Sequence, residues 1–282
     1  MTISFQHVTF QYGDGTTALD DLSLDIPQGK KIALLGNNGA GKSTLFQHIN
    51  GLLRPTSGTI SYNGAPLNYN RKGLQTLRQK VGIVFQDPDS QLFSGTVEQD
   101  IAFGPTNLGW DKARIHEKVS AVMALLDIEE LRKKPLHFLS LGQKKRVAIA
   151  GVLAMEPEFM ILDEPSAGLD RYYTKQIMTI LSTLRTPERT IILSTHDVNF
   201  AYEWADEIIV VSAGKLLYQG DPITLFTQET ILEQAHLDVP WLFETTMVLL
   251  NKQIIDTPDV FPRSKEALFH LLPTAHAPEI WV

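Results

Sequence analysis

Residues 36–44 read Gly-Asn-Asn-Gly-Ala-Gly-Lys-Ser-Thr, between the apolar run Ile32-Ala33-Leu34-Leu35 and a helical pattern that starts at Ser43. Strand, glycine-rich turn and helix in that order predict a phosphate-binding loop. Gly36, Gly39 and Gly41 permit backbone angles that a Cβ blocks, so successive N–H groups can turn inward around a phosphate. Asn37, Asn38, Ala40 and Thr44 complete the stretch and count with it as nucleotide-binding. Lys42 supplies a point charge for the outer phosphates, and Ser43 a hydroxyl for a magnesium ion. The following helix directs its positive end at the same anion. The expected ligand is a nucleoside triphosphate, ATP with Mg2+.

The chain of 282 residues carries a net charge of −7 and no cysteine. The negative balance argues against a general nucleic-acid binder, which needs a basic face. Without cysteine there is no disulfide, zinc-thiolate site or thiol nucleophile. Met1-Thr2-Ile3-Ser4-Phe5 has neither a basic start nor a continuous apolar core, so no secretory signal is expected. No window of about 18 residues is apolar enough to span a bilayer. A membrane role therefore has to run through a partner.

Strands are predicted at 3–10, 22–26, 31–35, 58–62, 81–85, 159–162, 190–194 and 207–211, with hairpins at Asn63-Gly64 and Ala213-Gly214. Helices are predicted at 43–53, 96–103, 111–126, 141–155, 170–184 and 197–205. Strands alternating with helices imply an α/β protein with a mostly parallel sheet, preceded by an N-terminal antiparallel β subdomain. A helical subdomain at about 87–157 is inserted between two strands of that sheet. Residues 1–225 form the nucleotide-binding unit, and 226–282 a small helical extension that is a candidate for dimerisation.

Two further motifs narrow the chemistry. Phe159-Met160-Ile161-Leu162-Asp163-Glu164 delivers two carboxylates to the C-terminal end of a buried strand, where open α/β sheets bind ligands. Asp163 suits a magnesium shell, and Glu164 can polarise an attacking water. Leu139-Ser140-Leu141-Gly142-Gln143, before an apolar helix, supplies an N-cap serine about one helix ahead of those acids. With these motifs the chain resembles the ATP-binding cassette family, whose signature is most often Leu-Ser-Gly-Gly-Gln. Leu141 departs from that pattern, whereas Ser140, Gly142 and Gln143 keep it.

The resemblance implies a role for each matching residue. Gln86 touches magnesium and the attacking water and senses a membrane partner. Ser140 and Gly142 complete the nucleotide site of a second subunit. Ser166 to Asp170 forms a loop across the dimer interface, with Asp170 its acid. His196 holds the γ-phosphate, and Tyr12 stacks on adenine. The segment Phe85 to Gly104 and the run Gln143 to Met155 are similar to the energy-coupling factor ATPases, the cobalt-importer subunit in particular. That branch implies a peripheral ATPase on the cytoplasmic face of the membrane. It would pair, most simply as a homodimer, beneath a transmembrane scaffold and substrate-binding membrane subunits.

Leu92, Phe93 and Phe103, with Pro88 and Pro105, are expected to offer a surface to a partner helix. The transported solute is expected to be cobalt, with nickel or a vitamin such as biotin as alternatives. A soluble cassette acting on nucleic acid or ribosomes is the rival class, but the chain has one cassette and no sustained heptads. A regulatory cassette without turnover is a third reading, against which Glu164 and His196 stand. No histidine pair has the i, i+4 spacing of a helical metal site, so the transported ion is expected to be chosen by the membrane subunits. Asp20-Asp21, Glu129-Glu130 and Arg132-Lys133-Lys134 read as solvated surface.

Overall fold

The computed structural model describes residues 1–273. The remaining residues of the predicted extension lie outside them. The chain folds as an α/β protein with two sheets. The first is antiparallel, in the order β2 (Thr17–Pro27), β1 (Thr2–Gln11), β4 (Ser57–Tyr62), β5 (Ala65–Pro66). Asn63 and Gly64 both take positive φ, 51° and 76°, as a two-residue hairpin turn requires, and so bring β5 back onto β4.

The second sheet runs β10 (Lys215–Gly220), β9 (Glu207–Ser212), β3 (Lys31–Leu35), β8 (Thr190–Ser194), β7 (Phe159–Leu162), β6 (Val81–Val84). Its strands are parallel except for β10, the hairpin partner of β9. The interior strands are apolar on both faces because both faces are covered. The two-residue period of a strand divides them. Ile32, Leu34, Phe159, Ile161, Ile192 and Ile209 join the core shared with the antiparallel sheet and α1 (Lys42–Ile49). Ala33, Leu35, Met160, Leu162, Ile191, Leu193, Ile208 and Val210 face the opposite layer.

That layer holds α3 (Val97–Asn107), α4 (Lys112–Leu125) and α5 (Leu141–Leu153), all between β6 and β7. It also holds α6 (Arg171–Thr183) and α7 (Val198–Trp204), before β8 and β9 respectively. The C-terminal helices are α8 (Pro222–Phe226), α9 (Glu229–Ala235), α10 (Trp241–Asn251) and α11 (Lys265–Leu271). Leu225, Phe226, Leu232, Leu242, Phe243 and Leu268 bring them into the same apolar core.

Three elements differ from the sequence reading. Helix α1 ends at Ile49 rather than Leu53, because Gly51 turns to φ 68° and Asn50 Nδ2 donates to Val81 O at 2.5 Å instead of continuing the helix. Helix α3 runs on through Pro105 to Asn107: Pro105 is buried, and Leu108 N still reaches Gly104 O at 3.1 Å. Helix α2 (Arg71–Lys80) was not expected; only Leu77 of it is buried, so its apolar signal is weak, and Asn70 caps it by accepting from Gly73 N at 2.7 Å.

The C-terminal segment is fastened to α7 by polar contacts. Arg263 Nε donates to Tyr202 O at 2.8 Å, and Arg263 Nη2 donates to Ala205 O. Tyr202 is fully buried and donates from Oη to Pro262 O at 3.0 Å. Trp241 N donates to Asn199 Oδ1 at 2.9 Å. Arg263→Ala should loosen residues 252–273 by about 1.5–3 kcal/mol, the usual worth of a charge-assisted hydrogen bond. Amide exchange followed by mass spectrometry should show faster exchange there and unchanged protection in α1; uniform loss across the chain would contradict this local clasp.

Candidate nucleotide site

The four functional loops leave the sheet at one edge because their strands are in register. Val84 pairs with Leu162, Leu162 with Leu193, and Leu34 with Ser194. The loop from Gly36, residue Gln86, the pair Asp163-Glu164 and residue His196 therefore emerge side by side, beyond the C-terminal ends of parallel strands.

In the first loop, the glycines are required sterically. A Cβ on Gly36 would meet Val211 O at 2.3 Å, and one on Gly41 would meet Ala18 O at 2.5 Å. Both have positive φ, as has Gly39. Ala40 is buried and its N–H donates to Asn37 O at 3.0 Å, which curls the loop. Lys42 is buried, and its Nζ donates to Gly36 O at 2.6 Å and Asn37 O at 3.1 Å. Burial pulls its ammonium below the usual lysine range, while Glu164 and Asp163 pull the other way.

A cavity of about 390 Å³ is lined by Tyr12, Asn38, Gly39, Gly41, Lys42, Ser43, Thr44, Gln86, Asp163 and Glu164. Thr16, Thr17 and Ala18, which the sequence reading did not single out, complete its wall. Their signal would have been proximity to Tyr12 within the β1–β2 turn. Tyr12 is 40% exposed but braced: its Oη lies 3.0 Å from Thr44 Oγ1, and its ring meets Phe10 edge-on at 4.9 Å. One face of the ring is thus free to receive a base.

Ser194 is a further residue that the sequence reading missed. Its Oγ donates to Asp163 Oδ1 at 2.6 Å and accepts from Glu164 N at 2.8 Å. Asp163 N donates to Val84 O at 2.9 Å. Both acids are fixed from the neighbouring strands. Glu164 takes a left-handed backbone, φ 43°, rare for a non-glycine residue. Its Oε2 lies 3.8 Å from His196 Nδ1, beyond hydrogen-bond range. His196 sits in an adjoining cavity of about 430 Å³ with Gly36, Asn37, Asn38 and Glu164, which His236 and Asp238 of the C-terminal region also line.

The remaining sequence candidates lie elsewhere. Neither cavity is lined by Ser140, Gly142, Gln143 or Asp170. Ser140 and Gln143 form a capping box at the start of α5, with Gln143 N donating to Ser140 Oγ at 3.4 Å and Ser140 N to Gln143 Oε1 at 3.1 Å. Asp170 caps α6 by accepting from Tyr173 N at 2.9 Å. Leu141, the residue that departs from the signature pattern, packs over Gly168: its Cδ2 lies 2.9 Å from where a Cβ on Gly168 would stand.

Removing the Tyr12 ring should weaken ATP binding by about 1–3 kcal/mol, the range for base–aromatic stacking. Calorimetric titration of Tyr12→Ala with ATP and GTP should show similar losses for both, because stacking reads no hydrogen-bond pattern. Unchanged affinity would remove Tyr12 from the site.

The family model described as ABC transporter matches residues 19–167. The chain is 42% identical over 274 residues to the energy-coupling factor transporter ATP-binding protein EcfA2 of Methanospirillum hungatei JF-1, spanning 97% of this chain and 69% of that one. It is 42% identical over 266 residues to the cobalt import ATP-binding protein CbiO of Rhodobacter capsulatus, spanning 94% and 95% respectively. The solved structure of cbiO1 from Clostridium perfringens, described as part of the ABC transporter complex cbiONQ, matches with a TM-score of 0.73 at 42% identity, over 87% of this chain and 98% of that one. The chain belongs to the ABC transporter family, as an ATP-hydrolysing subunit of the energy-coupling factor type.

Proposed function

We propose that this chain hydrolyses ATP to drive a membrane importer of a transition-metal ion, cobalt in the first instance. The observation that carries the transport half of this reading is a groove of about 900 Å³ between α2 and the α3–α5 layer, lined by Leu74, Arg78, Gln91, Phe93, Asp100, Phe103 and Met155 among others. Phe93 and Phe103 meet edge-on at 4.6 Å and are both largely exposed. That is a surface suited to an amphipathic helix of a membrane partner. Gln91 lines the groove and also braces the strand end: its Oε1 accepts from Phe85 N at 3.0 Å, and its Nε2 donates to Ile83 O at 3.3 Å. Gln86, the next residue along from Phe85, lines the nucleotide cavity. Segment 85–91 therefore joins groove and nucleotide site.

On this reading the backbone from Asn37 to Gly41, with Asn38, Lys42 and Thr44, cradles the phosphates, and Tyr12 stacks on adenine. Ser43, Gln86 and Asp163 offer a hydroxyl, an amide oxygen and a carboxylate on one cavity wall, a hard-oxygen set that fits Mg2+. Among the described residues no three His, Cys, Asp or Glu side chains cluster to hold a metal ion. That fits an ion completed by phosphate oxygens and water. When bound, Mg2+ would neutralise charge between the β- and γ-phosphates. Glu164 accepts the proton of the attacking water, Gln86 orients that water, and His196 holds the γ-phosphate.

Ser140, Gly142 and Gln143 lie outside the cavities of their own chain, so we assign them to the nucleotide of a second subunit, with Asp170 crossing between. The simplest assembly is a homodimer of cassettes, residues 1–225 each, with the C-terminal extension a candidate for dimerisation. No helix among the described residues is long and apolar enough to cross a membrane. The names of the relatives support placing the chain on the cytoplasmic face, beneath a transmembrane scaffold and substrate-binding membrane subunits and away from nucleic acid. The name of the Rhodobacter capsulatus relative favours cobalt.

Affinity purification of the tagged chain from solubilised membranes should recover integral membrane proteins. Cells carrying that complex should lose cobalt uptake when Lys42→Ala replaces the parent chain. Uptake of nickel or biotin, but not cobalt, would shift the solute; recovery of ribosomes or DNA-bound proteins instead would overturn the transport reading.

Glu164→Gln keeps the shape of the proposed base and removes its charge. Turnover should fall by about 10²–10⁴-fold, the usual worth of general-base catalysis. ATP binding should persist, and size-exclusion chromatography should show an ATP-dependent dimer. Hydrolysis within a few-fold of the parent would transfer the base role to another group.

A further inference from the structure

Lys145 lies in the second turn of α5 and is only 3% exposed. Its Nζ donates to two successive backbone carbonyls, Glu164 O and Pro165 O, each at 3.2 Å. A buried ammonium is costly unless its donors are used. Here they are spent on the two peptide carbonyls directly C-terminal to the side chain of the proposed base, not on a carboxylate. Two consecutive carbonyls can face one cation only if the chain turns sharply between them, and the left-handed φ of 43° at Glu164 is part of that turn. On its other side, the Glu164 N–H is held by Ser194 Oγ.

The backbone of residue 164 is thus gripped from both ends, by β8 through Ser194 and by α5 through Lys145. A left-handed residue relaxes when such restraints are removed. Relaxation would swing the Glu164 carboxylate, which now stands only 15% exposed and 3.8 Å from His196 Nδ1.

We propose that Lys145 is a positioning residue for hydrolysis: it holds the Glu164–Pro165 backbone in the turn that aims the Glu164 carboxylate at the attacking water. The role rests on the reading of Glu164 as the base. Lys145 lines neither the nucleotide cavity nor the adjoining one; it acts through Glu164 alone.

A double-mutant cycle tests this. Lys145→Met fills the same space without donors, Lys145→Gln keeps N–H donors without charge, and each is made in the parent and in Glu164→Gln. Lys145→Met should lower kcat by about 10²-fold, the cost of a misplacement near 1 Å, with the ATP dissociation constant and KM within two-fold of the parent. Lys145→Gln should retain more activity than Lys145→Met, because it can still reach a carbonyl. In the Glu164→Gln background, neither change at 145 should lower the residual rate further. A parental kcat in Lys145→Met, or equal losses in both backgrounds, would overturn the proposal. A melting temperature near the parent's in either variant is enough to read the cycle, so failure of one to fold leaves the other as the test. Should Glu164→Gln alone leave turnover unchanged, the base assignment fails, and that result is distinct from failure at Lys145.

Discussion

The register of the parallel strands β3, β8, β7 and β6 is the constraint from which the site follows. Their backbones are locked by main-chain hydrogen bonds, so the loops that leave them cannot slip past one another. A shift of one residue in any strand would invert its faces and bury the wrong set. Phe159 and Ile161 would then face the helices, and Met160 and Leu162 the antiparallel sheet. The apolar demand of two separate cores thus fixes the position of Asp163 and Glu164 to within one residue. Ser194 adds a side-chain bond across the same strands, so the two carboxylates are set by the sheet rather than by loop conformation.

Helix α5 is the second organising element. Its start carries the serine and glycine proposed to serve the other subunit, and its second turn sends Lys145 to the backbone beside Glu164. Leu141 over Gly168, and Leu169 and Tyr173 against Gly142, join that start to the loop following the paired acids. The side of the subunit proposed to meet a partner and the side proposed to hold its own nucleotide are therefore mechanically continuous. The groove bounded by α2 and α3, where a membrane partner is proposed, connects through Gln91 and Phe85 to Gln86 at the nucleotide cavity.

Much of this was legible in the sequence because the site residues are tied to local patterns. Gly36 to Thr44 sits between an apolar strand and a helix, and Asp163-Glu164 ends an unbroken apolar run. Such signals need no knowledge of the tertiary fold. What escaped notice depends on neighbours distant in sequence. Ser194 matters only because β8 pairs beside β7. Lys145 reads as one more charge in Gln143-Lys144-Lys145-Arg146 until packing buries it, whereas Lys144 beside it forms an outlying ion pair with Asp89. Helix α2 offers the sequence reading little apolar content, only Leu77 of it being buried, because one face of it borders the groove, not the core. Pro105 marks a stop in sequence terms, yet the local helix tolerates it at the cost of one donor.

The left-handed backbone at Glu164 sets a direction for sequence drift. That conformation costs a glutamate about 1 kcal/mol or more, and asparagine, aspartate and glycine adopt it more readily. Each of those exchanges relaxes the fold while deleting or retracting the carboxylate. A cassette that merely holds ATP is accordingly the thermodynamically easier descendant of this one. Exchange of Glu164 for glycine or asparagine would gain folding stability and, on the proposed base role, forfeit turnover, so that role runs against the local conformational preference of the chain.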